Sequence, residues 1–576
     1  MARRSIDLIA AVALVVPFVV ACAGAGSSGS GGSKPTTGSA GSGSSSSGSA
    51  GALGAAGTGV PTSIPGVLGT AGTGSGIPTG TGTAGGAATG VGGASNTGDQ
   101  YVPVGTNPFI MTAHDPLSTF AADVDTASYD IFRRDVNLGL LPQPASVRLE
   151  EHVNNFDYAY PTPTTSDAHP FKISLAAAGD MFHRETTLLR VGIAAREPVP
   201  FEKRPANVVF LVDVSGSMAA ADKLPLVKRV LARTLDVLSP EDTISIVTYS
   251  ATAVLRLAPT AARDKARILP IIDSLVASGS TAGAAALTLA YDQARRGFIS
   301  GGINHILMCT DGDFNVGPST TEELLALVKQ QRQTGITLTV LGFGIGNLND
   351  QMMERVSNAG NGIYGVISST TNADRYVDER LLSTLEHVAQ NMKIQVEFNP
   401  ARVVSYRLLG YEDRAVADKD FRNDLVDGGE VGAGHRVTAL YELLLTGQVL
   451  AAFEGAPPVV DGGPSDLIPE VDPADLVLVK VRYQPAGAAQ DSPALEVRAG
   501  LPAAARCADL GAADGDLRWA TAVAAFAEIL KKSPYADRAF VPMIETIVAQ
   551  QAVLDADRLE FGQLFARAKA LLPVSP

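Results

Sequence analysis

Small oxygen-bearing side chains occur at three places where a loop follows an apolar run or opens a helical stretch. The segment FLVDVSGSM ends an apolar run with Asp213 and continues with Ser215 and Ser217 at alternate positions. Thr281 lies in SGSTAG, and Asp311 lies in CTDGDFN, just after another apolar run. Residues of these types could supply a nucleophile, a phosphate cradle or a metal site.

The nucleophile and the phosphate cradle fit this pattern poorly. A nucleophile elbow requires glycine two positions before and after the serine, but Asp213 and Ser215 hold the preceding positions here. A phosphate-binding loop requires a glycine-rich turn followed by lysine and then Ser or Thr, which DVSGSM lacks. His305 precedes a strand-like run, so it would lie at the wrong end of the sheet to serve as a base.

A metal site fits the residues better. Hydroxyl and carboxylate oxygens are hard ligands that suit Mg²⁺ or Mn²⁺. Side chains at alternate positions after a strand point the same way, so the DVSGSM segment presents its oxygens to one point. The other loops reach the same edge of the predicted sheet. We therefore predict a Mg²⁺ or Mn²⁺ site formed by Asp213, Ser215, Ser217, Thr281 and Asp311.

Residues 206–390 contain the elements that would position this site. NVVFLVDVS, INHILMCTDG and ITLTVLGFGI are typical of buried strands, and DTISIVTYS with TAVLRLAPT predicts a hairpin. Helix-period segments lie between them. This alternation predicts an α/β fold with a mainly parallel sheet, one antiparallel hairpin strand and helices on both faces. Ligands of such sheets bind outside the carboxyl ends of the strands.

The flanking sequence has a different pattern. Strand-like runs without intervening helices occur in 171–195 and again in 391–505. We expect them to pair into one β domain, with the α/β unit inserted between them. Residues 506–576 are helical, with an apolar stripe that we interpret as core. The segment ADVDT has no apolar strand before it, and we interpret Asp125 or Thr126 as a helix cap.

The metal pattern and the strand order together resemble the von Willebrand factor type A domain over about residues 207–387. The resemblance implies a Rossmann-like domain with a metal-ion-dependent adhesion site. It implies direct metal binding by Ser215, Ser217 and Thr281, and direct or water-mediated binding by Asp213 and Asp311. In that family a carboxylate from a protein partner completes the metal's shell, so the resemblance implies a binding module and not an enzyme. A metal-dependent hydrolase or phosphatase and a passive envelope component remain alternatives.

The flanks resemble a bacterial group of secreted type A domain lipoproteins. The similar segments run from STFAADVDT to FDYAYP, residues 118–161, and from KIQVEFNP to TALYEL, residues 393–443. Within the second segment, His435 in GAGHRVT is interpreted as hydrogen-bonding a turn. This resemblance implies a similar architecture for most of residues 107–450.

The N-terminal hundred residues indicate export and tethering. Residues 1–22 have a basic start, a short apolar stretch and the ending VVAC, which resembles a lipobox with Cys22 as the lipidated residue. Ala23 after it favours the outer membrane in two-membrane bacteria. Residues 23–100 are rich in Gly, Ser, Thr and Ala and predict a disordered tether.

Charge and cysteine content restrict the partners further. The formal net charge of the whole chain is −14. The first hundred residues have a net charge of +1, so residues 101–576 have a net charge of −15. An acidic body argues against nucleic acid as a partner. Cys309 is expected to be a buried thiol, with a disulfide to Cys507 as the less favoured alternative.

The sequence therefore predicts a membrane-tethered, exported module of the cell envelope that binds a protein through Mg²⁺ or Mn²⁺, with no small-molecule substrate. The predicted divisions are a signal peptide, a tether, an N-terminal segment, the type A domain, a β-rich segment and a helical end: 1–22, 23–100, 101–205, 206–390, 391–505 and 506–576.

Overall fold

The computed structural model describes residues 98–122, 125–180, 185–198, 204–280, 283–312, 321–426, 428–450, 452–461, 468–488 and 492–573. The strands are β1 (Ile110–Met111), β2 (Leu117–Ala121), β3 (Phe171–Gly179), β4 (Thr187–Ala195), β5 (Ala206–Asp213), β6 (Thr243–Tyr249), β7 (Ala253–Ala261), β8 (Ile303–Thr310), β9 (Thr337–Phe343), β10 (Tyr364–Ile367), β11 (His387–Phe398), β12 (Val403–Leu409), β13 (Gly429–Gly432), β14 (Arg436–Leu445), β15 (Asp475–Pro485) and β16 (Leu495–Pro502). The helices are α1 (Ala127–Asn137), α2 (Leu149–Val153), α3 (Leu224–Val237), α4 (Lys265–Asp273), α5 (Ala284–Arg296), α6 (Thr321–Arg332), α7 (Asp350–Ala359), α8 (Thr370–Arg375), α9 (Leu381–Leu385), α10 (Gly515–Lys531), α11 (Val541–Gln551) and α12 (Ala556–Leu571).

The α/β unit is a sheet of order β10-β9-β8-β5-β6-β7, parallel except for β7, which runs antiparallel to β6. Every residue of β5 and of β8 is buried, because helices cover both faces and the strands have no polar side to expose. The helices α3 and α4 pack on one face, and α5, α6 and α7 pack on the other. The predicted α/β fold with one antiparallel hairpin strand is confirmed.

Strands from before and after this unit pair with each other. The strand β4 lies between β3 and β14, and β2 pairs with β11. Two antiparallel sheets result, of order β1-β12-β14-β4-β3 and β13-β11-β15-β16, and their apolar faces share one core. The predicted pairing of the two flanks, with the α/β unit inserted between them, is confirmed.

The C-terminal helices pack onto the N-terminal segment. The helices α10, α11 and α12 form a core with α1 and α2. The apolar stripe of α10 is buried, as predicted, and consists of Trp519, Val523, Phe526 and Leu530. The apolar side chains of α1 and α2 are therefore buried by the C-terminal helices, and those of the C-terminal helices by α1 and α2.

The prediction that Asp125 or Thr126 caps a helix is confirmed for the position of Thr126, but no side-chain capping bond forms. Thr126 holds the N-cap position of α1, but its side chain makes no capping bond and accepts a hydrogen bond from Arg380 instead. Asp125 accepts from the backbone N–H of Tyr364 at 2.8 Å and from Arg414 at 3.0 Å. It thus joins the edge strand β10 of the α/β unit to the flanking β structure, because a buried carboxylate requires such donors.

Other expectations are resolved by local contacts. Cys309 is a buried thiol, as predicted, and neither it nor Cys507 forms a disulfide in the described part of the chain. His435 accepts a hydrogen bond from the N–H of Gly432 through Nδ1 at 3.2 Å, which confirms its role in a turn. The predicted signal peptide with Cys22 lies outside the described residues. In the part of the chain that is described, no helix has the length and apolar character needed to span a membrane.

Two buried histidines should make the protein less stable in mild acid. Burial lowers the pKa of His152 to about 4 and that of His305 to about 3, from an ordinary value of 6.5. The unfolded chain therefore takes up protons first. The free energy of unfolding should be retained above pH ~6.5 and fall as the pH drops toward ~4, by up to ~1.4 kcal/mol per pH unit for each histidine.

Denaturant titrations across this pH range measure how steeply the free energy of unfolding depends on pH, in wild type and in His305→Asn. The asparagine can keep the hydrogen bond that links Nδ1 of His305 to the hydroxyl of Thr337 at 2.7 Å. We expect the variant to lose one histidine's contribution to the slope. An unchanged slope would show that His305 is not the titrating group.

Candidate metal site

The site lies at the carboxyl edge of the α/β sheet, where two parallel neighbours end together. The strand β5 ends at Asp213, and β8 ends one residue before Asp311. The register pairs Val212 with Cys309, so the ends of both strands are level. Both carboxylates are buried, at 0% and 1% exposure. The sheet thus brings together two acidic residues that are far apart in sequence.

The segment after β5 makes a tight turn that holds two hydroxyls next to the first carboxylate. The N–H of Ser215 donates to Oδ1 of Asp213 at 2.8 Å. The Oγ atoms of Ser215 and Ser217 are 2.9 Å apart. The spacing predicted from the alternate positions is therefore found, with Asp213 and Ser215 in direct contact and Ser217 joined through Ser215.

A second loop is fastened to this turn. The N–H of Gly216 donates to the carbonyl of Gly279 at 2.9 Å, and the N–H of Ser278 donates to the carbonyl of Val214 at 2.7 Å. These bonds place Ser278 and Gly279, at the start of the SGSTAG segment, at the same edge of the sheet. Thr281 itself lies outside the described residues, so its participation stays a prediction.

The charges of the two carboxylates at this edge influence each other. Burial raises the pKa of Asp213 to about 6, hydrogen bonds from Ser215 lower it, and the nearby charge of Asp311 raises it again. Two buried carboxylates whose charges interact repel each other, and each is costly to ionise without a counter-charge. A bound divalent cation would offset both.

The donor set fits Mg²⁺ or Mn²⁺. The described side chains that would hold the ion are two carboxylates and two hydroxyls, all hard oxygen donors. Among the described residues there is no group of three or more His, Cys, Asp or Glu side chains that could hold a metal ion; the candidate site has two such carboxylates, and its other described donors are hydroxyls. His305 is buried near the start of β8, at the opposite end of the strand from Asp311.

A lysine that the sequence interpretation missed lies at the site. Lys223 directly precedes α3, is buried, and donates from Nζ to Oδ2 of Asp311 at 2.9 Å. The side-chain amide of Asn347 contacts the same oxygen at 3.5 Å. The two partners of the ion pair are 88 positions apart in sequence, and no local pattern links them.

The loop that carries Asn347 is held by the first described residues of the chain. Oδ1 of Asp99 accepts from the N–H groups of Gly346 and Leu348 at 2.7 and 3.0 Å. Arg134 of α1 forms a 2.9 Å ion pair with Asp99 and donates to the carbonyl of Gly344 at 3.2 Å. Asp99 thus holds the loop that carries Asn347 next to the site.

Family models match the chain in three consecutive parts. A model described as von Willebrand factor type A domain matches residues 207–379, and one described as von Willebrand factor matches 95–190. A model described as the C-terminal part of the uncharacterized protein YfbK matches 383–571. The protein YfbK of Escherichia coli (strain K12) is 37% identical over 485 residues, which cover 83% of this chain and 82% of YfbK. The chain belongs to the YfbK family of type A domain proteins.

More distant relatives match smaller shares of the chain. Human inter-alpha-trypsin inhibitor heavy chain H3 is 27% identical over 245 residues, which cover 40% of this chain and 25% of the relative. A solved structure titled von Willebrand factor type A from Catenulispora acidiphila is 15% identical, covers 71% of this chain and 88% of its own, and has a TM-score of 0.38. The identified YfbK-family membership confirms the resemblance read from the motif and the flanks. Type A domains generally mediate protein–protein interactions, and this places the chain in a class of binding modules.

The residue after Asp311, Gly312, is packed so closely that a larger residue should destabilise the protein. Gly312 and Gly346 both have positive φ, at +94° and +102°, so alanine is strained at either position. A Cβ at Gly312 would lie 2.5 Å from the carbonyl oxygen of Asn347 and 2.6 Å from the nitrogen of Asn349, whereas a Cβ at Gly346 would meet nothing within 4 Å. Only the first substitution therefore forces the two loops apart.

We expect Gly312→Ala to lower the free energy of unfolding by about 2 kcal/mol more than Gly346→Ala does, because overpacking adds to the shared strain. It should also weaken Mg²⁺ binding, since Asp311 moves with its loop. Denaturant unfolding and Mg²⁺ titration calorimetry measure the two effects. Equal losses of stability in the two variants would contradict the packing argument.

Proposed function

We propose that this protein is a membrane-tethered, extracytoplasmic module that binds a protein partner through a Mg²⁺- or Mn²⁺-dependent adhesion site. One observation carries the proposal: Asp213 and Asp311 are buried together at the carboxyl edge of the sheet, beside the paired hydroxyls of Ser215 and Ser217. Two like charges buried at one place repel each other, and a divalent cation bound by hard oxygens neutralises them.

Each residue of the site has a distinct part in the proposal. Ser215, Ser217 and Thr281 bind the ion directly, and Asp213 and Asp311 bind it directly or through water. Mg²⁺ keeps several non-protein ligands when few protein oxygens are offered. A carboxylate of the partner takes one of these positions, which makes recognition depend on the metal.

The described part of the site contains no base or nucleophile arranged for catalysis. The buried His305 lies at the other end of β8, and the hydroxyls of Ser215 and Ser217 bond to each other and not to an imidazole. The arrangement therefore supports binding better than it supports the hydrolase or phosphatase alternative. Family membership points the same way, since type A domains are generally binding modules.

Tethering rests on the sequence. The VVAC ending would make Cys22 the lipidated residue, and the Gly- and Ser-rich stretch after it would separate the lipid from the folded part. The acidic body supports a protein partner over nucleic acid. We accordingly place the protein in the cell envelope, on the cell membrane or the outer membrane.

Removing one carboxylate tests the proposal. Asp213→Ala should weaken Mg²⁺ binding by at least about a hundredfold, because outer-shell changes alone cost metal sites roughly 10- to 100-fold. Its fold should stay near native by circular dichroism. The matched control is Asp236→Ala, which removes an exposed acidic residue at the far end of α3.

The second readout is capture of envelope proteins by the full chain, with Mg²⁺ and with chelator. We expect proteins that are retained by wild type and by Asp236→Ala only when Mg²⁺ is present, and that Asp213→Ala does not retain. The same retention by all three proteins in chelator would contradict a metal-dependent adhesion site. Turnover of a phosphate or peptide ester by wild type that is lost in Asp213→Ala would favour the enzyme alternative.

A further inference from the structure

The charges around the proposed cation leave room for one more negative group. Asp213 and Asp311 together carry −2, which would cancel a divalent cation and leave nothing to attract an anionic ligand. Lys223 changes this balance, because its ammonium group is 2.9 Å from Oδ2 of Asp311. With Lys223 counted, the loaded site carries about one positive charge, which a single carboxylate neutralises.

Lys223 is held where it is and is not a mobile surface lysine. Its side chain is 6% exposed, and its stem lies so close to Gly344 that a Cβ there would be 2.5 Å from Cγ of the lysine. The carbonyl of Gly344 in turn accepts from Arg134 of α1, which is paired with Asp99. Asp99 and Arg134, which precede the α/β unit in the chain, thus hold the loop that packs against the side chain of Lys223.

The burial of this lysine is not explained by stability alone. A buried ion pair gains little over an apolar pair of similar volume, because both charges must lose their water. Lys228, on the next turn of α3, shows the ordinary alternative, with its Nζ bonded to the carbonyl of Asp273 in an exposed position. A fixed positive charge beside a predicted metal ligand would instead act on what that site binds.

We propose that Lys223 determines the ligand preference of this site: it weakens the hold of the two carboxylates on the cation and gives the loaded site a net positive charge that selects an anionic, carboxylate-bearing partner. This inference rests on the proposed cation site. Lys223 is not one of the five residues predicted to bind the cation. Removing the charge of Lys223 should therefore raise the affinity for the cation and lower the affinity of the loaded site for a carboxylate ligand.

The test uses the full chain, Mn²⁺ as the metal probe, and a short peptide with one aspartate as the ligand probe. The variants are Lys223→Met, which keeps length and removes charge, and Lys228→Met, which makes the same net-charge change on the same helix. Free Mn²⁺ measured by electron paramagnetic resonance gives the metal affinity. Broadening of the peptide's proton resonances by bound Mn²⁺ gives ligand binding, with the asparagine version of the peptide as the reference.

We expect Lys223→Met to bind Mn²⁺ about tenfold more tightly, because a repelling charge has been removed at close range. At saturating Mn²⁺ it should lose most of the aspartate-specific broadening. Lys228→Met should match wild type in both measurements. Gly344→Ala keeps the lysine but displaces it, and should shift both affinities in the same directions by a smaller factor, which preserves the test if Lys223→Met does not fold.

The outcomes separate the two proposals. Wild type that binds no Mn²⁺ at millimolar concentration overturns the proposed function, and this inference with it. Wild type that binds Mn²⁺ while Lys223→Met binds it equally or more weakly overturns the inference alone. Tighter Mn²⁺ binding with unchanged aspartate-specific broadening would show that Lys223 tunes the metal but does not select the ligand, and would also overturn it.

Discussion

Two carboxylates buried side by side at the end of a parallel sheet are the constraint on which the rest of this site depends. Asp213 and Asp311 meet because β5 and β8 are parallel neighbours that end level with each other. Each buried ion costs several kcal/mol in lost hydration, so the surroundings must return positive charge or hydrogen bonds. The N–H of Ser215 and the ammonium group of Lys223 do part of this. A divalent cation would add positive charge at the same place.

The flanking segments act on this edge although they lie outside the α/β unit. Asp99 and Arg134 fix the loop from Gly344 to Leu348, and that loop packs against the segment that carries Asp311. At the edge of the sheet formed by β10, Asp125 accepts a hydrogen bond from the N–H of Tyr364. The inserted domain is therefore fastened to its flanks at both places, which gives a physical reason for the three parts to occur together in the YfbK family.

The sequence predicted those features that depend on local spacing or on a general rule of parallel sheets. Alternate positions after β5 indicated that Asp213, Ser215 and Ser217 converge, and the rule that strand ends share an edge brought in Asp311. Lys223 could not be found in this way, because its pairing depends on the course of a helix start and a strand end that are distant in sequence. The same reason explains why Asp125 was interpreted as a cap, since its partners come from remote elements.

The most direct test of the metal site is anomalous diffraction from crystals of the protein grown with saturating Mn²⁺. The account predicts one strong peak at the carboxyl edge of the sheet, with the hydroxyl oxygens of Ser215 and Ser217 at roughly 2.1 Å, the distance that octahedral Mg²⁺ sites show. Thr281 should lie in the same shell. Crystals saturated with Mn²⁺ that show no peak at this edge, or that show one only elsewhere on the protein, would contradict the account.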